Sequence, residues 1–144
     1  MTPLLLMRLA VTVALTGAWP LSPHHIARGY EPPTSTYASG HRGIDLSGRV
    51  GEAVRTALGG TVTFVGQVGG TPTVVVTHGS VRTTYQPVRT SVAVGHRVET
   101  GSVIGHLLTV HSHCLPEACL HWGYRRGRTY LNPLALVEKV RLLP

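Results

Sequence analysis

The stretch TVTFVGQVGGTPTVVVTHGSVRTTYQPV, residues 61–88, contains three runs rich in β-branched residues, and glycine-bearing turns separate them. Runs of this kind predict β-strands, and the short turns between them predict antiparallel pairing. The same pattern extends on both sides of the stretch, with glycines every eight to twelve positions. The sequence therefore predicts an antiparallel sheet system with these candidate strands: Ile44–Ser47, Ala53–Ala57, Thr61–Val68, Thr73–His78, Val81–Pro87, Val103–Leu108 and Ala118–Arg125.

A single segment after the strands has a helical pattern. NPLALVEKVRLL, residues 132–143, offers Asn132 as an N-cap and Pro133 at the first helical position, with leucines on one side. A chain of 144 residues is long enough for one domain with a real core. We therefore expect one all-β domain that ends in a short helix.

The first residues have the layout of a secretory signal peptide. Arg8 precedes the apolar run Leu9–Leu15, and small residues follow up to Ala18. The alternative, a membrane anchor, would need about 20 apolar residues, and Arg8 interrupts this stretch. The expected organisation is a signal peptide at 1–18, an extended N-terminal arm at 19–37 and a domain at 38–144, with no stable membrane span after cleavage.

The chain is basic, with a net charge of +7. Loss of Arg8 with the signal would leave 12 basic against 6 acidic residues. A cationic exported protein suits an anionic surface such as the bacterial wall, although a solvated basic face with no partner has the same composition. Aromatic residues do not alternate with the basic ones as nucleic-acid binding would require, so no nucleic-acid partner is expected.

Cys114 and Cys119 are the only cysteines. An exported chain with an even count favours a disulfide between them, which would close a short loop around LPEA. Such a short loop contributes on the order of 2 kcal/mol, less any strain. The bridge is therefore expected to hold one loop in place rather than the whole fold.

Three side chains have the types of a catalytic zinc site. His41 lies four residues before Asp45, which is the only aspartate, and His121 lies in the last candidate strand. Two imidazole nitrogens and one carboxylate oxygen, with the fourth position open, are the usual ligands of catalytic zinc. The alternative for the same residues is a turn histidine bonded to backbone and an aspartate that caps a turn.

Four segments together resemble the lysostaphin-like (LytM-type) zinc endopeptidases of bacterial cell walls. In order they are GHRGIDL, the stretch from AVRTALGG to TTYQPV, VGHRVETGSVIGHL, and CLHWGYRRGRTYLNPLALV, and the resemblance covers about residues 38 to 138. It implies a groove-bearing antiparallel fold of the barrel-sandwich hybrid kind, with one zinc ion. It also implies that His41, Asp45 and His121 bind the zinc and that the substrate is a peptide of peptidoglycan.

The sequence departs from that family at two positions. Family members carry an assisting histidine two residues before the last ligand, and another just after the strand tyrosine. These two assisting positions are Cys119 and Pro87 here. Proline can neither accept a proton nor donate a backbone hydrogen bond. Because a positioned base or an oxyanion donor is each worth about 10² to 10⁴ in rate, hydrolysis is expected to be weak or lost.

Other residues could take over these roles. Candidate substitutes for the missing base are His111 and His113 in VHSHC, and Glu117 in the cysteine loop. The alternative is a solvated polar loop. Cys119 could also be a fourth zinc ligand, since it shares a strand face with His121, and a thiolate there would make the site structural. Candidate groove residues are Tyr85, Trp122 and Arg125.

Two functions follow from these observations. One is an exported, cell-wall-associated bacterial zinc peptidase that cuts cross-links or stems of peptidoglycan. The other is a module that keeps the fold and the zinc, has lost hydrolysis, and binds the wall or regulates another wall hydrolase. The three ligands favour the peptidase, whereas Pro87 and Cys119 favour the binding module.

Overall fold

The computed structural model describes residues 16–32 and 40–138. Within these ranges the chain forms eleven strands and one short 3₁₀ helix. The strands are β1 (Ile26–Arg28), β2 (Ile44–Gly48), β3 (Ala53–Arg55), β4 (Gly60–Val68), β5 (Thr71–His78), β6 (Val81–Gln86), β7 (Val88–Thr90), β8 (Arg97–Val98), β9 (Val103–Leu107), β10 (Ala118–Arg126) and β11 (Thr129–Leu131). The prediction of an all-β antiparallel fold is confirmed.

The strands form two antiparallel sheets. The larger sheet has the order β1-β2-β10-β6-β5-β4-β8, and β11 also pairs with β10. The smaller sheet has the order β3-β9-β7. The seven strands predicted from the sequence are all present with slightly different ends, and β1, β7, β8 and β11 were not predicted. These four strands have only two or three residues, too few for an alternating pattern to stand out.

Pro87 separates β6 from β7, a short strand that the sequence pattern did not predict. β6 ends at Gln86 in the larger sheet, and β7 begins at Val88 in the smaller sheet, where Val88 pairs with Leu107. A proline has no N–H to donate to a ladder, so the chain changes sheets at this residue. The predicted strand Val81–Pro87 therefore ends one residue early.

The core lies between the two sheets. In β2 and β10 alternate residues belong to the hydrophobic core, as the period of two requires: Ile44 and Leu46 in β2, Leu120 and Trp122 in β10. The smaller sheet adds further buried side chains, among them Val54, Val88, Ile104 and Leu107. The residues between these buried positions consequently face the other side of the larger sheet.

Part of the N-terminal arm packs on this core. Leu21 is fully buried in it, and the Trp19 ring stacks on His24 with centroids 3.6 Å apart. β1 then pairs with β2 and forms one edge of the larger sheet. Residues 33–39 of the arm lie outside the described residues. The described part is extended, and the sequence pattern did not reveal that Leu21 belongs to the core.

Near the start of the described residues, the backbone bonds to the 3₁₀ helix near their end. Gly17 N–H donates to the Leu136 carbonyl at 2.6 Å, and Ala18 N–H donates to the Ala57 carbonyl at 2.8 Å. The 3₁₀ helix spans Pro133–Leu136, and the Asn132 side chain caps it as predicted, accepting from Leu134 N–H. The rest of the predicted helix, from residue 139, and most of the predicted signal peptide, residues 1–15, lie outside the described residues.

The described part of the chain contains no helix of the length and apolar character needed to cross a membrane.

Candidate metal centre

Strand register brings Asp45 of β2 next to His121 of β10. The two residues are direct partners in the antiparallel ladder, and each lies between two core residues of its own strand. Both side chains therefore point away from the core, toward the same point. Nδ1 of His121 lies 3.0 Å from Oδ1 of Asp45.

His41 reaches the same carboxylate from the segment before β2. Its Nε2 lies 3.2 Å from Oδ2 of Asp45, and both side chains are almost completely buried. Its other ring nitrogen, Nδ1, lies 2.8 Å from the Gly29 carbonyl oxygen. A carbonyl can only accept, so Nδ1 carries a proton, and Nε2 is the ring nitrogen turned toward Asp45. Such a second contact is typical of a metal-binding histidine.

His113 completes a cluster of four. It comes from the segment between β9 and β10, and its Nδ1 lies 3.0 Å and 3.1 Å from the two carboxylate oxygens of Asp45. The ligand atoms of His41, Asp45, His113 and His121 all lie within 4.8 Å of one another. Three imidazole rings thus surround one carboxylate.

The chemistry of this cluster fits a divalent metal ion. Nε2 of His41 is buried without a hydrogen-bond partner, although it faces an oxygen of Asp45. A neutral imidazole nitrogen and a carboxylate oxygen are both acceptors, so a buried pair of them needs a cation between them, which is either a proton or a metal ion. Imidazole nitrogen and carboxylate oxygen are the ligands that zinc prefers. These residues are therefore suited to hold zinc.

The carboxylate of Asp45 is charged at neutral pH. Burial on its own would raise the pKa of Asp45. The hydrogen bond from His121 and the charges of His113, His121 and His41 outweigh burial, so the net effect is a pKa below the ordinary value of 3.8. The site therefore offers a full negative charge to a cation.

The structure separates the three candidate substitutes for the missing base. Of these, only His113 joins the cluster. His111 is exposed, and its Nδ1 lies 3.2 Å from the Thr71 hydroxyl instead. Glu117 is exposed, and its backbone N–H donates to the Cys114 carbonyl. The cysteine loop therefore directs one of the three side chains to the candidate metal centre.

Cys114 and Cys119 lie close enough for a disulfide. Their Sγ atoms are within bonding distance, and their Cα atoms are 5.6 Å apart, a usual separation for a disulfide. Cys119 is buried and does not join the four-residue cluster found in the described part of the chain. The alternative in which Cys119 is a zinc ligand is thus not the arrangement in this structure.

A groove runs across the face of the larger sheet that lies away from the core. It has a volume of about 1010 Å³, and His121 lies at its lining. Arg125 lines it, as predicted from the sequence. Tyr85 and Trp122 do not, because both are fully buried on the core side of their strands. The groove instead has Tyr124 and Tyr130 as its tyrosines.

Gln86 is a groove residue that the sequence analysis missed. It pairs with His121 across β6 and β10, so it lies on the groove face directly beside the candidate metal centre. Its side chain is 3.0 Å from the Thr73 hydroxyl. Gln86 comes one residue before Pro87, which is one of the two assisting positions. Alternation along β6 identifies the groove side, because Gln86 comes one residue after the buried Tyr85.

Comparison with known proteins gives both close relatives and structural neighbours. The uncharacterized proteins Rv2891 of Mycobacterium tuberculosis and Mb2915 of Mycobacterium bovis are each 40% identical to this chain in an alignment of 134 residues that covers 88% of this chain. The match covers 54% of each of those proteins, so the chain spans about half the length of the relatives it matches.

Three solved structures share the fold at low sequence identity. Lysostaphin from Staphylococcus simulans matches with a TM-score of 0.71 and 20% identity, over 86% of this chain and 55% of that chain. A zinc-containing peptidase from Vibrio cholerae matches with a TM-score of 0.69 and 20% identity, over 83% and 39%. The SpoIIQ–SpoIIIAH pore-forming complex matches with a TM-score of 0.68 and 22% identity, over 85% and 91%.

The family assignment comes from the sequence itself. Residues 39–133, which contain all four members of the cluster and both assisting positions, match the family model described as Peptidase family M23. The order of the motifs, the groove and the ligand geometry agree with that match. The chain belongs to peptidase family M23.

Proposed function

We propose that this protein is an exported zinc metallopeptidase-like protein that acts on peptide cross-links or stems of bacterial peptidoglycan with reduced activity. The observation that carries the proposal is the cluster at the groove, where a buried His41 nitrogen without a partner faces the charged carboxylate of Asp45. When bound, zinc would act as a Lewis acid that polarises a peptide carbonyl and activates water.

The chain's own residues have separate tasks around that site. Asp45 provides the negative charge, and the Gly29 carbonyl fixes the tautomer and orientation of His41. Gln86 is the ladder partner of His121 on the side of β10 away from Asp45, and it lines the groove. Neither Pro87 nor a disulfide-bonded Cys119 can transfer a proton. The ligand half of a peptidase site is therefore present without the two assisting histidines.

The groove supports a substrate that carries carboxylates. Arg42, Arg82 and Arg125 line it, and its lining includes no aspartate or glutamate. Nε of Arg125 is buried without a hydrogen-bond partner, and the guanidinium carbon lies 5.8 Å from the Tyr130 ring centroid. Arginine is well suited to bind carboxylates, because its planar donors match the two oxygens. Peptide stems with free carboxylates are thus the preferred substrate class.

Export remains part of the proposal. The apolar run before Ala18, the basic composition and the two cysteines within bonding distance all support it. Cleavage after Ala18 would remove two backbone hydrogen bonds, those of Gly17 and Ala18. Cleavage before Gly17 would keep both. N-terminal sequencing of the secreted protein distinguishes the two sites.

The test is release of peptides from purified peptidoglycan. The zinc-loaded protein is expected to release peptides slowly, and a chelator should abolish the release. Arg125→Gln and Arg82→Gln should each weaken sedimentation with the wall by roughly two- to fivefold, a modest effect typical of exposed ion pairs. Arg97→Gln is the matched control, because Arg97 is exposed on β8 and does not line the groove. Equal sedimentation of all three variants would contradict the role of the groove arginines.

A second function is favoured by one observation: both assisting positions are occupied by residues that cannot act as a base, and Pro87 is also the point where the chain changes sheets. A binding or regulatory module would sediment with purified wall and release no peptides. The structural neighbour in the SpoIIQ–SpoIIIAH complex is a case in which this fold forms part of an assembly. Peptide release that depends on zinc decides for the peptidase.

A further inference from the structure

The position of His113 suggests more than a replacement for a missing base. A general base must reach the attacking water without being a ligand itself. Nδ1 of His113 instead points at the same carboxylate oxygens as the ligand nitrogens of His41 and His121. Its distances of 3.0 and 3.1 Å match theirs, which are 3.2 and 3.0 Å. By contact geometry, His113 is equivalent to the two family ligands.

These separations suit four ligands of one ion. In a tetrahedral site with metal–nitrogen bonds of about 2.0 Å, neighbouring ligand atoms lie about 3.3 Å apart. The three imidazole rings also lie side by side, with centroids 5.1, 4.9 and 5.9 Å apart. A fourth protein ligand changes the class of the site, because four protein ligands close it and three leave a position open.

Exposure indicates which ligand is exchangeable. The side chains of His41 and Asp45 are 4% and 2% exposed, and that of His121 is 16% exposed. The side chain of His113 is 43% exposed. The other three ligands are held by strands or by a backbone hydrogen bond, whereas His113 belongs to a loop. It therefore covers the solvent side of the centre.

The loop around His113 is fixed on both sides of that residue. Ser112 is buried, and its hydroxyl accepts from the N–H groups of Cys114 and Cys119 and donates to the Glu117 carbonyl. Cys114 and Cys119 lie within bonding distance across the same loop. The two neighbours of His113 in sequence are thus tied to the start of β10, two residues from His121.

We propose that His113 is a fourth protein ligand that closes the metal centre, and that the Cys114–Cys119 loop holds it in place. This inference rests on the proposed zinc site. Zinc affinity then depends on an intact loop. In the disulfide-bonded protein, four protein ligands close the metal site. Opening the loop releases His113 and leaves the three strand-anchored ligands with an open position.

The experiment measures metal binding rather than activity. Zinc affinity is determined by chelator competition, and the cobalt(II)-substituted protein is examined by visible absorption, whose intensity reports the coordination number. His113→Ala should weaken zinc affinity by at least the 10- to 100-fold that loss of an outer partner typically costs, and should alter the cobalt spectrum. His111→Ala, two residues away on the same loop, is the matched control and should leave both unchanged.

The loop is tested separately. Mass measurement after alkylation without reductant first establishes whether Cys114 and Cys119 are bonded, and two free thiols in the protein from an oxidising compartment would overturn the loop part of the proposal. Cys114→Ser with Cys119→Ser should weaken zinc affinity in the same direction as His113→Ala. If that variant does not fold, reduction and alkylation of the wild type provides the comparison.

The two proposals fail in different ways. If the wild-type protein binds no zinc, the proposed function itself is wrong. If the wild type binds one zinc, but His113→Ala has the same zinc affinity and the same cobalt spectrum, only the assignment of His113 as a fourth ligand is wrong. Thermal melts of the metal-free proteins show whether each variant is folded, and truncation of a side chain as exposed as His113 is expected to leave the melt unchanged.

Discussion

The metal centre and the assisting positions beside it are built in different ways. Asp45 and His121 are paired in a central ladder of the larger sheet, with core residues on both sides of each. Pro87 lies where the chain leaves that sheet, and Cys119 pairs with Ser47 in the same ladder but is also within bonding distance of Cys114 in the preceding loop. Asp45 and His121 are thus fixed by the same alternation that forms the core. The assisting positions depend in addition on the sheet crossing at Pro87 and on the loop that contains Cys114.

The largest expected effect is loss of metal from the ligand half. His121→Ala should reduce bound zinc from about one per chain to almost none, because His121 is one of two histidines that the main chain fixes beside Asp45. His121 is fixed by its strand, and His41 by its hydrogen bond to the Gly29 carbonyl. His106→Ala, in β9 of the other sheet, is the control and should keep its metal. Metal analysis of the purified proteins is the measurement. Equally low zinc in the wild type and in His121→Ala would disprove the site.

The assisting half can be tested by restoring it. Pro87→His together with Cys119→His and Cys114→Ser should raise peptide release by about 100-fold or more, since a positioned proton-transfer group is typically worth 10² to 10⁴. The control replaces the same residues by Pro87→Ala, Cys119→Ala and Cys114→Ser, which opens the loop without adding a base. Wild-type turnover that already equals that of the restored variant would show that Pro87 and Cys119 are not catalytic losses.

A third prediction concerns the close packing behind the ligand half. A Cβ at Gly43 would lie 2.5 Å from the Trp122 carbonyl oxygen and 2.8 Å from two atoms of the His121 ring. Gly43→Ala should therefore lower stability by about 1–3 kcal/mol, as overpacking does, and weaken zinc binding. Gly29→Ala is the control, because a Cβ there meets nothing within 4 Å. Denaturant unfolding and chelator competition measure the two effects, and equal behaviour of the two variants would contradict this packing.

The smallest effect concerns a histidine far from the metal centre. His78 donates from Nδ1 to the Gly59 carbonyl and bonds through Nε2 to the Thr83 hydroxyl. Burial lowers the pKa of His78 below its ordinary value of 6.5, against the opposing effect of the Gly59 hydrogen bond. The unfolded chain therefore binds the proton first as the pH falls. Stability from His78 is fully present above pH 6.5 and decreases below it.

His78→Gln separates this contribution from that of the other histidines. The variant should lose about 1 kcal/mol at pH 8, where two hydrogen bonds are disturbed. Its stability should also fall less steeply than that of the wild type between pH 7 and pH 5. Denaturant unfolding across this pH range is the measurement. Parallel pH profiles of the two proteins would show that His78 keeps its ordinary pKa.

The fold and three members of the candidate metal centre could be predicted from local alternation together with the family motifs. Alternation over residues 61–88 reveals strands through a period of two, and the same period places Asp45 between Ile44 and Leu46 on the face away from the core. The resemblance to a known family then named His41 and His121. The short strands β1, β7, β8 and β11 were missed because two or three residues carry no period.

Which face of a strand is buried could not be decided for every residue from the sequence. Tyr85 and Trp122 were expected in the groove, but both are buried, and the Tyr85 hydroxyl is satisfied inside by Thr83 and by Ala57 N–H. A tyrosine or tryptophan suits either a core or a groove, since each has an apolar body and one polar atom. Likewise, nothing in the sequence around Leu21 indicated that this residue of the arm is buried in the core.

The sequence by itself determined the strand pattern through the period of two, and its motifs determined the family and three members of the candidate metal centre. Tertiary structure alone decided that His113, 68 residues from Asp45, joins the cluster while His111 and Glu117 do not. That choice depends on where a loop returns to the sheet and on the contacts that hold it there. Such long-range contacts leave no periodic pattern in the sequence. Only the folded chain shows the hydrogen bonds of Ser112 that hold this loop at the start of β10.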